Sequence, residues 1–278
     1  MTDWRIDFAE FVRERLPTDS AQRLIGMLRT TVRLSAAAAG ERVVGRLGGV
    51  PRLPDGVAWP TRFDRALPMS FVAELDCGQL TQFETDIALP ADGTLLFFVA
   101  AEVEQSVVIY VPDGIAVAER PTPVGAESYS ELALAALAEP SWPDLSHPAV
   151  VDVFGSIEEA RRLVWDHVLD HNTGETFGDD FAIYKQRGEA GPEHQVGGYG
   201  DALQNPVETL AAHEAGTGWY GDPDFQREAR QWVTLLQVAE DTRAGMIWGD
   251  GAYLIWGIRS DRLAERDFSK VRLYVSGH

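Results

Sequence analysis

The sequence predicts an α+β fold that is mainly β, made of two related halves with a helical segment at the N-terminus. Three observations lead there. Short apolar runs rich in β-branched and aromatic residues, "MSFVAEL", "GTLLFFVA" and "SVVIYV", are separated by clusters of Gly, Pro and Asp. Helical periodicity is strong at the N-terminus and then gives way to alternation. The last third of the chain repeats, in the same order, landmarks already met in the first. A chain of 278 residues buries roughly 75% of its unfolded surface, enough for a core without disulfides or metals.

Taken in order, "WRIDFAEFVRERL" places Trp4, Phe8, Phe11 and Val12 at helical spacing and ends at Pro17. A second helix is expected from about Ser20 to Leu28, and the aromatic stripe of the pair reads as core packing. "TVRLS" then alternates. The stretch "GGVPRLPDGVAWP", residues 48–60, holds three glycines, three prolines and Trp59. Each proline fixes φ and removes a donor, so neither a helix nor a central strand runs through it. It is a stiff, built loop. Beyond the three strands, Ser128 and Glu131 form a capping-box pattern ahead of "LALAALA", predicting a short helix stopped by Pro140. "PSWPDLSHP" is a proline-stiffened connector, and Ser156 with Glu159 opens a predicted helix through His171.

The landmarks run Gly48-Gly49, then "FVAEL" with Glu74 inside it, then Gly93 ahead of "TLLFFVA". Later come Gly197-Gly198, "VTLLQVA" with Gln237 inside it, and Gly251 ahead of "AYLIWGI". This order predicts an internal duplication over about 46–118 and 178–275, with the two Gly-Gly loops as equivalent parts. The expected organisation is a helical segment, 1–45, packed on a main domain, 46–278.

The first fifteen residues mix acids and bases without an apolar core, and runs such as Leu95–Ala101 are far shorter than a membrane span. A soluble cytoplasmic protein is expected. The single cysteine, Cys77, excludes an internal disulfide and reads as a small buried thiol. With 24 basic against 43 acidic residues and a net charge of -19, a nucleic-acid backbone is a poor partner. A basic protein surface is a suitable one, although acidity also serves solubility.

Chemical motifs are few. "GTGWYG", residues 216–221, matches G-x-G-x-x-G but has no strand before it and no helix directly after, so it reads as a turn. His167 and His171 stand four residues apart but "HVLDH" lacks the glutamate of H-E-x-x-H, and no metal or cofactor is predicted. Asp250 in "WGDG" is framed by glycines, where a carboxylate could project, and the Asp-Gly pair reads as a tight hairpin turn. Glu74, inside an apolar strand, must be paired, exposed on one face, or shifted in pKa. If Glu74 and Gln237 point into one cleft they make a polar pair; if both face solvent they are ordinary alternation.

The ordered set "GGVPRLPDGVAWP", "LPMSFVAELDC", "LPADGTLLFF", "HQVGGYGDALQNP" and "LLQVAEDTRAGMIWGDGAYLIWGIRSDRLAERDFSKV" resembles the YwqG-like family of bacterial proteins. The resemblance runs from about Leu47 to the last strand. It implies a β-rich roll with peripheral helices in a cytoplasmic bacterial protein, and no established activity. The family commonly has glutamine where Glu74 stands, and usually spaces the Asp and Gly that are adjacent here as Asp250-Gly251. The candidate binding residues are Gly48, Gly49, Trp59, Glu74, Gly197, Gly198, Gln204, Gln237, Trp248 and Asp250. The function expected is non-enzymatic binding of a protein partner, as in an immunity or regulatory factor. The alternatives are a hydrolase using Glu74 or Asp250, or a small-ligand sensor.

Overall fold

The computed structural model describes residues 4–63, 67–185, 194–201, 205–219 and 222–277. The first half of the chain runs α1 (Trp4–Arg15), α2 (Thr18–Ile25), β1 (Arg29–Ala36), β2 (Gly45–Leu47), β3 (Arg52–Pro54), β4 (Ser70–Asp76), α3 (Cys77–Leu80), β5 (Thr94–Val99), β6 (Ser106–Val111) and β7 (Val117–Glu119). Next come β8 (Leu132–Ser141), α4 (Pro148–Phe154), α5 (Ile157–Ala160), β9 (Val168–Asp170), β10 (Glu175–Thr176) and α6 (Phe177–Lys185). The last part holds β11 (His194–Gly197), α7 (Val207–Glu214), α8 (Pro223–Ala229), β12 (Trp232–Ala239), β13 (Tyr253–Arg259), α9 (Ser260–Ala264) and β14 (Arg272–Ser276). The fold is α+β with more strand than helix, as the sequence predicts. No helix among the described residues is long and apolar enough to cross a membrane.

Ten strands form one antiparallel sheet in the order β14-β13-β12-β11-β1-β8-β2-β4-β5-β6. The order reads the same outward in both directions from the central β1–β8 pair, and so does the register. Val32 of β1 faces Val196 of β11 as Leu132 of β8 faces Leu47 of β2. Arg46 faces Glu74 as Gln195 faces Gln237. The β4–β5 ladder is bulged at Val72 and the β12–β13 ladder at Leu235, each two residues before that polar position. Leu96 then faces Glu74 and Ile109 faces Leu96, while Ile255 faces Gln237 and Tyr274 faces Ile255. The halves are thus related by a local two-fold axis that passes between Ser35 and Ala135, which face each other.

Because side chains alternate along a strand, Leu95, Phe97 and Val99 enter one core while Leu96 and Phe98 face the other way. The first core is shared by both halves. At its centre Phe97 and Trp256, which occupy two-fold-related positions, meet edge to face with ring centres 5.2 Å apart. The outer strands are drawn together: Tyr110 of β6 packs on Phe268 at 5.7 Å and its hydroxyl accepts from Arg266 at 3.0 Å. The sheet is therefore a near-barrel. The N-terminal pair α1 and α2 packs Phe8, Phe11 and Leu24 against Phe154, Phe177 and Phe181 in a separate cluster.

Three expectations are corrected. "LALAALA" lies in β8 and is not a helix, because β8 is paired with β1 from Leu134 to Ser141 and with β2 at Leu132–Leu134. Pro140 is tolerated there since β2 flanks β8 only at Leu132–Leu134, leaving the far end with one neighbour. The helix opened by Ser156, whose hydroxyl accepts the Glu159 N–H at 3.0 Å, ends at Trp165 after a π-helical turn, and His167 and His171 flank β9. They share no helix face. β1 lies within residues 1–45 yet sits at the middle of the sheet, so the expected boundary at residue 45 cuts through the sheet.

Deleting either ring at the axis opens a cavity in a close-packed core, so Phe97→Ala and Trp256→Ala are each expected to cost about 3–5 kcal/mol. Urea unfolding of the double variant should show coupling of about 0.5–1.5 kcal/mol between them. Strict additivity would show that the contact across the axis carries no energy of its own.

Candidate functional site

Each half turns sharply after its inner strand at a pair of glycines with positive φ, 58° and 77° at Gly48 and Gly49, 67° and 69° at Gly197 and Gly198. A Cβ on Gly48 would stand 2.4 Å from the Ser130 carbonyl oxygen, and one on Gly49 2.6 Å from Glu131 Oε2. Backbone therefore approaches backbone: Gly48 N–H donates to Val72 at 2.8 Å and Gly49 N–H to Tyr129 at 3.0 Å. Behind this turn Glu74, 7% exposed, accepts from Arg46 at 2.9 Å and from Arg52 at 2.6 Å. Arg46 also reaches Glu131 at 2.6 Å and the Val50 carbonyl at 2.7 Å. Glu74 is thus held between two guanidiniums.

At the two-fold-related place the polar pair carries no charge. Gln195 donates to the carbonyls of Gly197 and Tyr199, at 3.2 and 2.7 Å, and Gln237 Oε1 accepts the Asp201 N–H at 2.8 Å. Arg52 and Asp201 each stand four residues beyond the first glycine of their pair and each closes on the central polar residue of the neighbouring strand. Glu74 and Gln237 belong to separate networks.

The long connections exchange across the axis. Asp86, between β4 and β5, accepts the Gly198 N–H at 2.7 Å. Burial pushes its carboxyl up, against the pull of that bond and of Arg29. In the other direction the β12–β13 connection, residues 240–252, folds onto the Gly48-Gly49 turn. The Ala244 carbonyl accepts the Ser130 N–H at 2.9 Å, and Trp248 meets Tyr129 edge to face at 5.6 Å. Asp241 organises this loop. Its backbone pairs with Met246, Oδ1 accepts the Arg243 N–H at 2.9 Å, and Oδ2 takes the Arg243 guanidinium at 2.6 Å. Burial alone would raise its carboxyl, but Arg243 and His194 hold it down at about 2. Glu240 accepts the N–H groups of Trp248 and Gly249 at 2.8 and 2.6 Å. The expected tight turn at Asp250-Gly251 is instead the end of this longer loop, because Asp241 and Glu240 fold it from within.

A family model described as Domain of unknown function (DUF1963) matches residues 45–276. The chain belongs to this family, the YwqG-like family. No curated protein matches the chain. The DUF1963 match begins at β2 and ends in β14, so it includes β8 but not β1, the strand that occupies the two-fold-related place. The Gly-Gly turns, the central polar residues and the 240–252 loop all lie inside the family's span.

The structure brings Gly48, Gly49, Glu74 and Trp248 together through Arg46 and Tyr129, and Gly197, Gly198 and Gln237 at the related place. Trp59 stands apart: its indole N–H donates to the Met69 carbonyl at 2.8 Å and its ring packs on Phe98 at 5.5 Å, covering the first half's outer face. Asp250 is exposed, and no hydrogen bond or ion pair joins it to Glu74. Gly251 stands two residues before β13 whereas Gly93 directly precedes β5, so those landmarks are one residue out of step. Gln204, with Tyr220 and Gly221 of "GTGWYG", lies outside the described residues. A recess of about 350 Å³ beside Thr81–Leu89 contains none of the expected site residues. No group of three metal-ligating side chains occurs among the described residues.

Arg46, Tyr129, Glu131, His194 and Asp241 escape a reading of the sequence, and one signal could have found Arg46. It stands two residues before its Gly-Gly pair, as Gln195 does. The related half shows that an amide pair satisfies the same backbone, so Arg46→Gln with Glu74→Gln should be tolerated better than either change alone. Arg46→Gln leaves buried Glu74 with Arg52 alone and Glu74→Gln leaves Arg46 with Glu131 alone, so each single change is expected to cost about 1–3 kcal/mol, while the double variant should melt closer to wild type. A double variant as unstable as the sum would refute the equivalence. Asp241 has a depressed pKa, so its contribution is complete above about pH 4 and fades as pH falls through about 2. Asp241→Asn should lose about 2 kcal/mol at neutral pH, and the gap to wild type should close in acid denaturation series below pH 3.

Proposed function

We propose that this member of the YwqG-like family is a non-enzymatic cytoplasmic binding protein, an immunity or regulatory factor that occupies a partner through a basic surface. One observation carries the reading. The 240–252 loop, folded over Tyr129 and the Gly48-Gly49 turn, presents Ile247, 68% exposed, beside half-buried Trp248. Carboxylates lie on the residues that carry this loop: Glu127 on the Tyr129 hydroxyl, Glu240 under Trp248, and exposed Asp250 within the loop itself. An apolar anchor with an acidic rim suits a cationic partner, since the rim steers encounter and the anchor slows release. The net charge of -19 extends that field.

The hydrolase alternative gains no support from its named acids, because Glu74 is neutralised by two arginines and Asp250 stands elsewhere. A reducing compartment agrees with Cys77, which is buried and free, with a thiol that burial and nearby Asp76 and Asp92 push up to about 12.

The test is to purify the partner from the native host and measure its association with the chain. Its association rate should fall on the order of tenfold between low and high salt. Ile247→Ser, which removes the apolar anchor at an exposed position without adding charge, should weaken binding by at least about tenfold while leaving the melting temperature unchanged. An association rate indifferent to salt would sink the basic-partner reading, and full affinity in the Ile247 variant would move the interface elsewhere.

A further inference from the structure

His194 opens β11 and is wholly buried, 0% exposed. Both ring nitrogens are engaged by the junction between β12 and the 240–252 loop. Nδ1 accepts the backbone N–H of Ala239, the last residue of β12, at 3.1 Å. Nε2 lies 3.3 Å from Asp241 Oδ2. A nitrogen that accepts a backbone N–H carries no proton of its own, so the proton resides on Nε2, donates to Asp241, and leaves the ring neutral. A second proton has nowhere to go: on Nδ1 it would set N–H against N–H. Turning the ring over would put Cδ2 where Nδ1 stands and Cε1 where Nε2 stands, so it would give up both bonds.

We propose that His194 is an acid-sensitive latch, whose protonation severs the Ala239 bond and releases the 240–252 loop that carries Ile247 and Trp248. On the β13 side β12 stays paired as far as Ala239–Tyr253, but toward β11 the paired register among the described residues is Gln195–Gln237 alone, so the ring is what ties β11 to the start of the loop. The charged groups facing the ring are Asp241 and Arg243 from the loop and Arg33 from β1, the last paired with Glu139 of β8 at 3.3 Å. Asp241 favours the imidazolium, but Arg243 already occupies that carboxylate at 2.6 Å. Burial and the two arginines hold the histidine below its ordinary range. The sign follows: the folded chain binds fewer protons at His194 than the unfolded chain. The latch is closed above about pH 6.5 and opens progressively as pH falls. That opening regulates partner binding rests on the function proposed above, whereas the latch itself operates without a partner.

Hydrogen exchange of the full chain between pH 7.5 and 5.0, corrected for the intrinsic effect of pH on exchange, tests it. In wild type, protection of the amides from Ala239 to Gly251 should fall with decreasing pH, by up to about tenfold per unit, while β4 and β5 keep theirs. His194→Asn, whose side-chain oxygen can accept the Ala239 N–H, should give a flat profile. His147→Gln, which alters another buried histidine (4% exposed), should behave as wild type. A flat wild-type profile, an equal slope in His194→Asn, or loss spread evenly over the sheet would overturn the latch. If the Asn variant does not fold, nitrogen NMR of the wild-type ring decides. A neutral Nε2–H ring at pH 7.5 that becomes charged as the loop opens supports the latch, and a ring still neutral when the loop opens refutes it. A loop that opens without any loss of the purified partner would instead refute the binding surface and leave the latch standing.

Discussion

Eight consecutive residue pairs, from Arg29 facing Ser141 to Ala36 facing Leu134, join β1 to β8 and with them the two halves of the sheet. Each half is a five-stranded antiparallel unit that would end at an unpaired inner strand, β1 or β8, without this ladder. An open inner edge of that kind pairs with other chains. The central ladder removes both edges at once and brings Phe97 and Trp256 close enough to form a single core. It also explains why β1 belongs to the domain although the family's span starts after it.

From this ladder follows the exchange of connections. Because the halves are antiparallel about one axis, the long connection of each leaves its own strands at the end nearest the other half's Gly-Gly turn. Asp86 therefore reaches Gly198, and the 240–252 loop reaches Gly49 by way of Tyr129 and Ser130. The glycines are needed at these points since a Cβ on Gly197 would fall 2.6 Å from Asp86 Oδ1, as one on Gly49 would meet Glu131. The Gly198 turn is bonded from the opposite half by Asp86, whereas the Gly48-Gly49 turn is bonded within its own half by Val72 and Tyr129 and is covered from the opposite half by the 240–252 loop.

Much of this was legible in the sequence and some was not, for separable reasons. The strands of the first half declare themselves by β-branched and aromatic runs, and the recurring Gly-Gly pairs give the order of the halves. β8 does not, because Leu and Ala favour a helix locally and only pairing with β1, about a hundred residues earlier, makes it a strand. The end of the helix at Trp165 has no Gly or Pro to mark it. Glu74 could be recognised as a residue needing a partner, but its partners Arg46 and Arg52 are brought to it by the turn and by strand register, which spacing alone does not reveal. The loop at 240–252 was hidden because Asp250-Gly251 imitates a two-residue hairpin, while the residues that fold the loop, Glu240 and Asp241, read as ordinary surface acids.

The departures from symmetry say where a surface was left open. Phe71 and Phe98 face each other in the first half; at the same positions the second half has Thr234 and Gly257. The missing side chains let a helix approach: the Cβ that Gly257 lacks would lie 2.3 Å from Val207 Cγ1 of α7. A helical layer thus covers the second half, and the amide pair beneath it, Gln195 and Gln237, satisfies backbone without bringing charge under the helix. In the first half the aromatic face is covered by Trp59 and its stiff loop, and the polar pair stays charged because Arg46 and Arg52 remain near solvent. Two halves with the same cover would present two similar faces; a helix over one of them makes it unlike the Gly48-Gly49 side, where Trp59 and its loop form the cover and Ile247 stands exposed.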